Sequence, residues 1–131
     1  YALLYTHVRQ ARLRTDDSDE WQTCGFTNVA VCNGRFFGGG MLVAPEAQVD
    51  DSLLNVTVWD ETFKGFLLKK PQLYNGEHLK WPGTRTMVCR KVEVECTDEE
   101  RFGECRLDID GEGEGKLPAV FRLVSRVQFY V

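Results

Sequence analysis

The sequence predicts a mainly β protein, an antiparallel two-sheet β-sandwich with one short helix near residues 61–70. Three observations predict it. Period-two alternation of apolar and polar residues recurs in Leu54-Asn55-Val56-Thr57-Val58, in Lys91-Val92-Glu93-Val94-Glu95-Cys96 and in Cys105-Arg106-Leu107-Asp108-Ile109. Such alternation marks half-buried strands with one wet face. Tight-turn dipeptides, Asn33-Gly34 and Asp110-Gly111, stand between strand-like runs and signal hairpins. A single stretch breaks the pattern: Phe63, Phe66, Leu67 and Leu68 fall at helical spacing between Glu61 and Lys70, and Pro71 stops them.

Taken in order, a strand over residues 9–15 leads into the acidic loop 16–20 and a second strand over 27–33. Asn33-Gly34 turns the chain into Arg35-Phe36-Phe37. Gly38-Gly39-Gly40 lacks the lysine and helix start of a phosphate loop, so it reads as a bulge or close backbone approach inside a sheet. Residues 46–53 form an acidic, oxygen-rich loop of the kind that suits a hard cation, without EF-hand spacing. Strands follow at 54–58, around 84–90, at 91–96, at 105–109 and at 118–124, with a polar loop over 97–104. The C-terminus alternates again through Val127, Phe129 and Val131. Phe36, Phe37, Met41, Trp59, Phe63 and Phe66 supply large apolar groups, most of them expected in the core.

The bulk properties bound the function. A chain of 131 residues fits one domain, and 43% apolar with 27% charged residues is ordinary for a globular protein. A net charge of −4 argues against a nucleic-acid partner, which requires a basic surface. No run reaches the length of a membrane-spanning helix. The chain begins at Tyr1 and reads as a piece of a longer protein. Five cysteines occur without a C-x-x-C pair, and His7 and His78 lie far apart, so reduced cysteines acting as small core residues are expected rather than a zinc site. The sequon Asn55-Val56-Thr57 falls inside a strand and is discounted.

Asp110-Gly111-Glu112 places two carboxylates about a glycine at a hairpin tip, where a carboxylate can be held toward a reacting hydroxyl and take its proton. Asp-Gly is also the ordinary hairpin turn, and a glutamate beside one is most often simply solvated.

Beyond the individual segments, their order is informative. Asn33-Gly34-Arg35-Phe36-Phe37-Gly38-Gly39-Gly40-Met41 precedes Ala44-Pro45-Glu46-Ala47, then Asp51-Ser52-Leu53-Leu54-Asn55-Val56, then Tyr74-Asn75-Gly76-Glu77-His78-Leu79, and finally Asp110-Gly111-Glu112. This series over roughly residues 27–131 resembles the C-terminal domain of the diacylglycerol kinase and sphingoid long-chain-base kinase family. The resemblance implies that the whole chain, 1–131, is the lipid-substrate domain of a lipid kinase whose N-terminal, ATP-binding domain lies elsewhere. Family members transfer the γ-phosphoryl group of ATP to a lipid hydroxyl, and the resemblance makes Glu112 the general base and gives Asp110 a supporting place in the same motif. It also implies Mg2+ in the acidic loop, held by the Asp51 side chain and the Gln48 and Leu53 carbonyls. The sequence departs from the family at Ser52, where glycine is usual; a left-handed turn there would strain serine. The phosphate-binding G-G-D-G-T motif is absent from this chain, so the fragment alone is expected to be inactive. The expected substrate is diacylglycerol, a sphingoid base or a related lipid, and the expected parent is a cytoplasmic protein in peripheral contact with membranes. The alternative is a non-catalytic β-sandwich that binds a lipid or a protein. A weaker third reading, a carbohydrate-binding sandwich, needs an exposed platform from Trp21, Trp59 or Trp81.

Overall fold

Residues 7–124 are described by the computed structural model. Their nine strands are β1 (Arg9–Thr15), β2 (Gln22–Phe26), β3 (Asn28–Cys32), β4 (Leu54–Trp59), β5 (Arg85–Cys89), β6 (Lys91–Cys96), β7 (Arg106–Ile109), β8 (Glu112–Lys116) and β9 (Ala119–Arg122). They form a four-stranded sheet in the order β2-β1-β6-β9, a three-stranded sheet in the order β3-β4-β5, and a two-stranded ribbon β7-β8, all antiparallel. The expected mainly β, antiparallel architecture is what the chain adopts. The alternating run Val127, Phe129, Val131 lies outside the described residues.

The period-two pattern explains the main core. Ala11 and Leu13 of β1, Cys24 and Phe26 of β2, and Val92 and Val94 of β6 point inward and meet Leu54, Val56 and Val58 of β4. Burying each such aliphatic side chain contributes about 1.5–3 kcal/mol. The opposite face of the four-stranded sheet is charged. Arg12 stands opposite Glu95 and Arg14 opposite Glu93, both pairs form ion pairs, and the two guanidinium groups lie 4.4 and 4.5 Å from the Trp21 ring centroid.

Strand β4 differs from its expected form. Its alternation predicts one wet face, yet all six residues are buried, with Asn55 at 9% and Thr57 at 2% exposure. A third layer covers that face: Val43, Ala44, Ala47, Leu73 and Trp81 pack with Ala30, Cys32 and Trp59 in a second core. The layer is built from the 33–53 loop and the helical segment that follows β4. Thr62 caps helix α1 (Phe63–Lys69) by accepting from Gly65 N at 3.2 Å, and Pro71 ends the α-helix while the chain continues as 3-10 turns over Lys70–Tyr74 and Glu77–Lys80. A second, one-turn helix, α2 (Glu99–Phe102), lies in the 97–104 loop.

Two further expectations are corrected. Asn33-Gly34 does not close a hairpin, because β3 pairs with the apolar β4 rather than with Arg35-Phe36-Phe37. Paired with β4, Ala30 and Cys32 are buried, whereas Phe36 and Phe37 remain exposed rather than joining the core. Gly38-Gly39-Gly40 is not inside a sheet either. The three glycines, all at positive φ, form the tip of a tight turn closed by reciprocal Phe37–Met41 backbone bonds of 2.9 and 3.0 Å. Trp59 and Trp81 are buried and Trp21 lies under arginines, so the tryptophans offer no sugar-binding platform.

Candidate functional site

The β7-β8 ribbon carries the candidate carboxylates. Ile109 pairs with Glu112 and Asp108 with Gly113, leaving Asp110-Gly111 as a two-residue turn. Asp110 has φ 52 and Gly111 φ 89, so both turn residues are left-handed, a conformation that glycine and aspartate tolerate best. Asp108 fastens the turn by accepting a hydrogen bond from Gly111 N at 2.8 Å. Asp110 and Glu112 therefore stand together at one tip, and both are exposed. All five residues of β8 are exposed, so the ribbon lacks a covering layer on the solvent side among the described residues.

Behind the ribbon the sandwich opens. A cavity of about 920 Å³ is lined by Phe26, Val29, Val31, Val94, Leu107, Leu117 and Phe121, with His7, Arg9, Glu104, Arg106, Asp108 and Lys116 adding polar groups. That volume falls in the roughly 300–1,000 Å³ range of small-molecule pockets. The ribbon's contribution to the wall is distinctive: Gly111, Gly113 and Gly115 line the cavity. A Cβ added at any of the three would meet nothing within 4 Å, so close packing does not require glycine there. Glu112 and Glu114 are not among the lining residues; Glu112 is flanked in the chain by the wall residues Gly111 and Gly113. Across the wall Lys116 Nζ and Glu104 Oε1 form an exposed ion pair at 2.5 Å. The lysine beside it holds the Glu104 carboxyl below its ordinary range, and Glu104 in turn raises Lys116.

The acidic loop forms a separate feature. Asp51 Oδ1 accepts from Leu53 N at 2.9 Å, and Ser52 between them has φ 60. Serine thus occupies the left-handed conformation in which a side chain costs roughly 1–2 kcal/mol. Gln48 is exposed, and Asp51 is half-buried. The Asp51 carboxylate and the Gln48 and Leu53 carbonyls are oxygen donors, the type that a hard cation takes.

His78, fully buried, serves the framework. Its Nε2 lies 2.9 Å from the Val43 carbonyl, and its ring contacts Trp59 and Trp81 at 6.0 Å between centroids. Burial pushes its pKa below the ordinary 6.5, against the opposing pull of the Val43 and Gln72 carbonyls. His78 thereby fixes the third layer from which the acidic loop enters β4. Among the thiols, Cys105 is pushed up to about 12 by burial and then by Cys96, so it carries its proton and is no nucleophile as it stands.

Sequence reasoning missed Asp108, whose signal was an Asp three residues before a turn glycine. It also missed the glycine face of β8, which shows only as the alternation Gly111-Glu112-Gly113-Glu114-Gly115.

Comparison with known proteins places these features in a family. Residues 2–128 match the family model described as the YegS C-terminal NAD kinase beta sandwich-like domain. Two proteins named diacylglycerol kinase, from Mycobacterium tuberculosis strains CDC 1551 / Oshkosh and ATCC 25618 / H37Rv, are each 34% identical over 88 residues, which is 66% of this chain and 26% of theirs. The chain thus spans about a quarter of the length of these curated relatives. Three solved structures from Bacillus anthracis str. Sterne share the fold, with TM-scores of 0.63, 0.63 and 0.62 at 20%, 19% and 15% identity. They cover 90%, 92% and 93% of this chain and 37%, 40% and 43% of their own, and the last is described as a diacylglycerol kinase.

Proposed function

From a chain that belongs to the YegS C-terminal NAD kinase beta sandwich-like domain family, we propose the lipid-holding part of an ATP-dependent kinase that phosphorylates a lipid hydroxyl. The relatives' name, diacylglycerol kinase, supports the reaction class. The observation that supports the reading is the β7-β8 ribbon: Gly111 and Gly113, on either side of the exposed Glu112, line the cavity. In this reading the acyl chain of diacylglycerol, a sphingoid base or a related lipid lies against Val29, Val31, Leu107 and Phe121, and its hydroxyl emerges at the tip.

Glu112 accepts the hydroxyl proton as the oxygen attacks the γ-phosphorus of ATP. The new O–P bond forms as the bond to the leaving ADP breaks. Most of the work in such a transfer is positioning and charge neutralisation. The ribbon supplies positioning, since Asp108 and the left-handed Asp110-Gly111 pair set the direction in which β8 leaves the turn. Asp110 shapes that turn. ATP would be held mainly by a nucleotide-binding domain outside this chain, docked over the exposed ribbon, and the chain alone would be inactive. A cation such as Mg2+ at Gln48, Asp51 and Leu53 would neutralise charge in the loop before β4. Peripheral membrane contact suits the exposed Leu67 and Leu68 of α1, and Phe36 and Phe37, better than a basic surface, since the chain carries −4. A parent that meets membranes in this way would be cytoplasmic.

The test is Glu112→Gln in the full-length parent, assayed with a panel of diacylglycerols and sphingoid bases. The expected result is a loss of turnover of about 100-fold or more, the scale of general base catalysis, with folding unchanged. Turnover near wild type removes Glu112 from the reaction.

A further inference from the structure

The segment between β6 and β7 folds back on itself and gathers donor atoms that are dispersed in sequence. Cys96 ends β6, Glu99 opens α2 and Cys105 immediately precedes β7. Their ligand atoms all lie within 4.8 Å of one another. Glu99 Oε1 is shielded from solvent and has no hydrogen-bond partner. An acceptor withdrawn from water and left without a donor is unfavourable, more so when charged, and a cation bound there would remove that cost.

A surrounding shell is already in place. Arg9, buried beside this loop, donates from Nη2 to Cys96 Sγ at 3.2 Å. Arg9 is itself fixed by Asp98 Oδ1, at 3.0 Å from Nε and 2.9 Å from Nη2, and by the Gly103 carbonyl at 2.6 Å. An N–H aimed at a ligating sulfur, with a carboxylate behind it, is the outer shell that orients metal ligands and tempers their charge. Two thiolates and the carboxylates of Asp98 and Glu99 would be offset by Arg9 and a divalent ion to within one charge. Paired sulfurs select a borderline-soft ion over Mg2+ or Ca2+.

We propose that Cys96, Glu99 and Cys105 form a zinc site, spaced C-x2-E-x5-C, with water as the fourth ligand. The Cys96 thiol, 3.1 Å from Asp98 Oδ1, donates to that carboxylate without metal. On binding, each S–H bond is replaced by an S–Zn bond and two protons pass to solvent, with no change of oxidation state; a coordinated thiol is deprotonated by the metal. Bound zinc would staple the 97–104 loop, and with it Glu104 and Cys105 of the cavity wall.

The test titrates the metal-free, reduced chain with Co2+ and then Zn2+. The expected result is one Co2+ per chain, with a thiolate-to-cobalt charge-transfer band in the near ultraviolet that Zn2+ abolishes. Cys105→Ser should cut the band and weaken zinc binding by at least the roughly 10- to 100-fold that outer-shell partners cost. Glu99→Gln should keep the band and weaken binding. Because a core serine can impair folding, the wild type supplies a second readout: zinc should slow alkylation of Cys96 and Cys105 and leave Cys24, Cys32 and Cys89 unaffected. Failure to bind one equivalent, a Co2+ spectrum without the thiolate band, or equal protection of all five cysteines would overturn the site.

Discussion

Strands β4 and β8 are of similar length and lie in one small molecule, yet all six residues of β4 are buried and all five of β8 are exposed. β4 is covered by the four-stranded sheet on one face and by the 33–53 and 63–81 segments on the other. β8 has a cavity behind it and solvent in front. Its sequence, Glu-Gly-Glu-Gly-Lys, has little side chain to pack, so it adds little to stability. The difference teaches that this fold concentrates its free energy at the centre and leaves a thin ribbon whose two faces are available for other work.

The largest expected effect breaks the β4 side of the comparison. Leu54→Ala should cost about 2–5 kcal/mol through lost burial and an unfilled cavity, with a fall in Tm on the order of 10 °C. Glu114→Ala on β8 should stay within about 0.5 kcal/mol of wild type, the usual range for surface substitutions. Chemical denaturation of both variants checks the pair; equal losses would erase the distinction.

A smaller effect sharpens the account of what covers β4. His78 packs against Trp59, and its folded pKa lies below the unfolded 6.5. Above that value the ring is neutral in both states and the full stability is present. As pH falls through it, the unfolded chain binds a proton that the folded chain refuses until lower pH, so stability falls with acidity across that window. Urea unfolding midpoints from about pH 7 to about pH 5 should show this decline, and His78→Gln should flatten it relative to wild type.

The same contrast explains what the sequence made legible. The charged alternation of β6 identified its wet face because ion pairs with β1, such as Arg12 with Glu95, keep that face in solvent. The alternation of β4 misled, because Asn55 and Thr57 are covered by residues as distant as Leu73 and Trp81, and no local pattern records that third layer. Asp110-Gly111 was legible as a turn because both residues adopt left-handed φ. Asn33-Gly34 was not, since β4 offered β3 a more apolar partner than Arg35-Phe36-Phe37. β2 passed unseen because Gln22-Thr23-Cys24-Gly25-Phe26 mixes polar residues with a glycine. The cavity could not be read at all, because its walls come from several strands.

In the proposed enzyme Glu112 takes the proton while its neighbour Gly113 borders the lipid cavity. Steady-state kinetics of the full-length parent tests it most directly, with Glu112→Gln beside Gly113→Phe. The expected result is that Glu112→Gln lowers kcat and leaves KM for the lipid near wild type, while Gly113→Phe intrudes on the cavity and raises KM by about tenfold, equivalent to roughly 1.4 kcal/mol, with kcat largely kept. The same change in both variants, or no change in KM for Gly113→Phe, would contradict it.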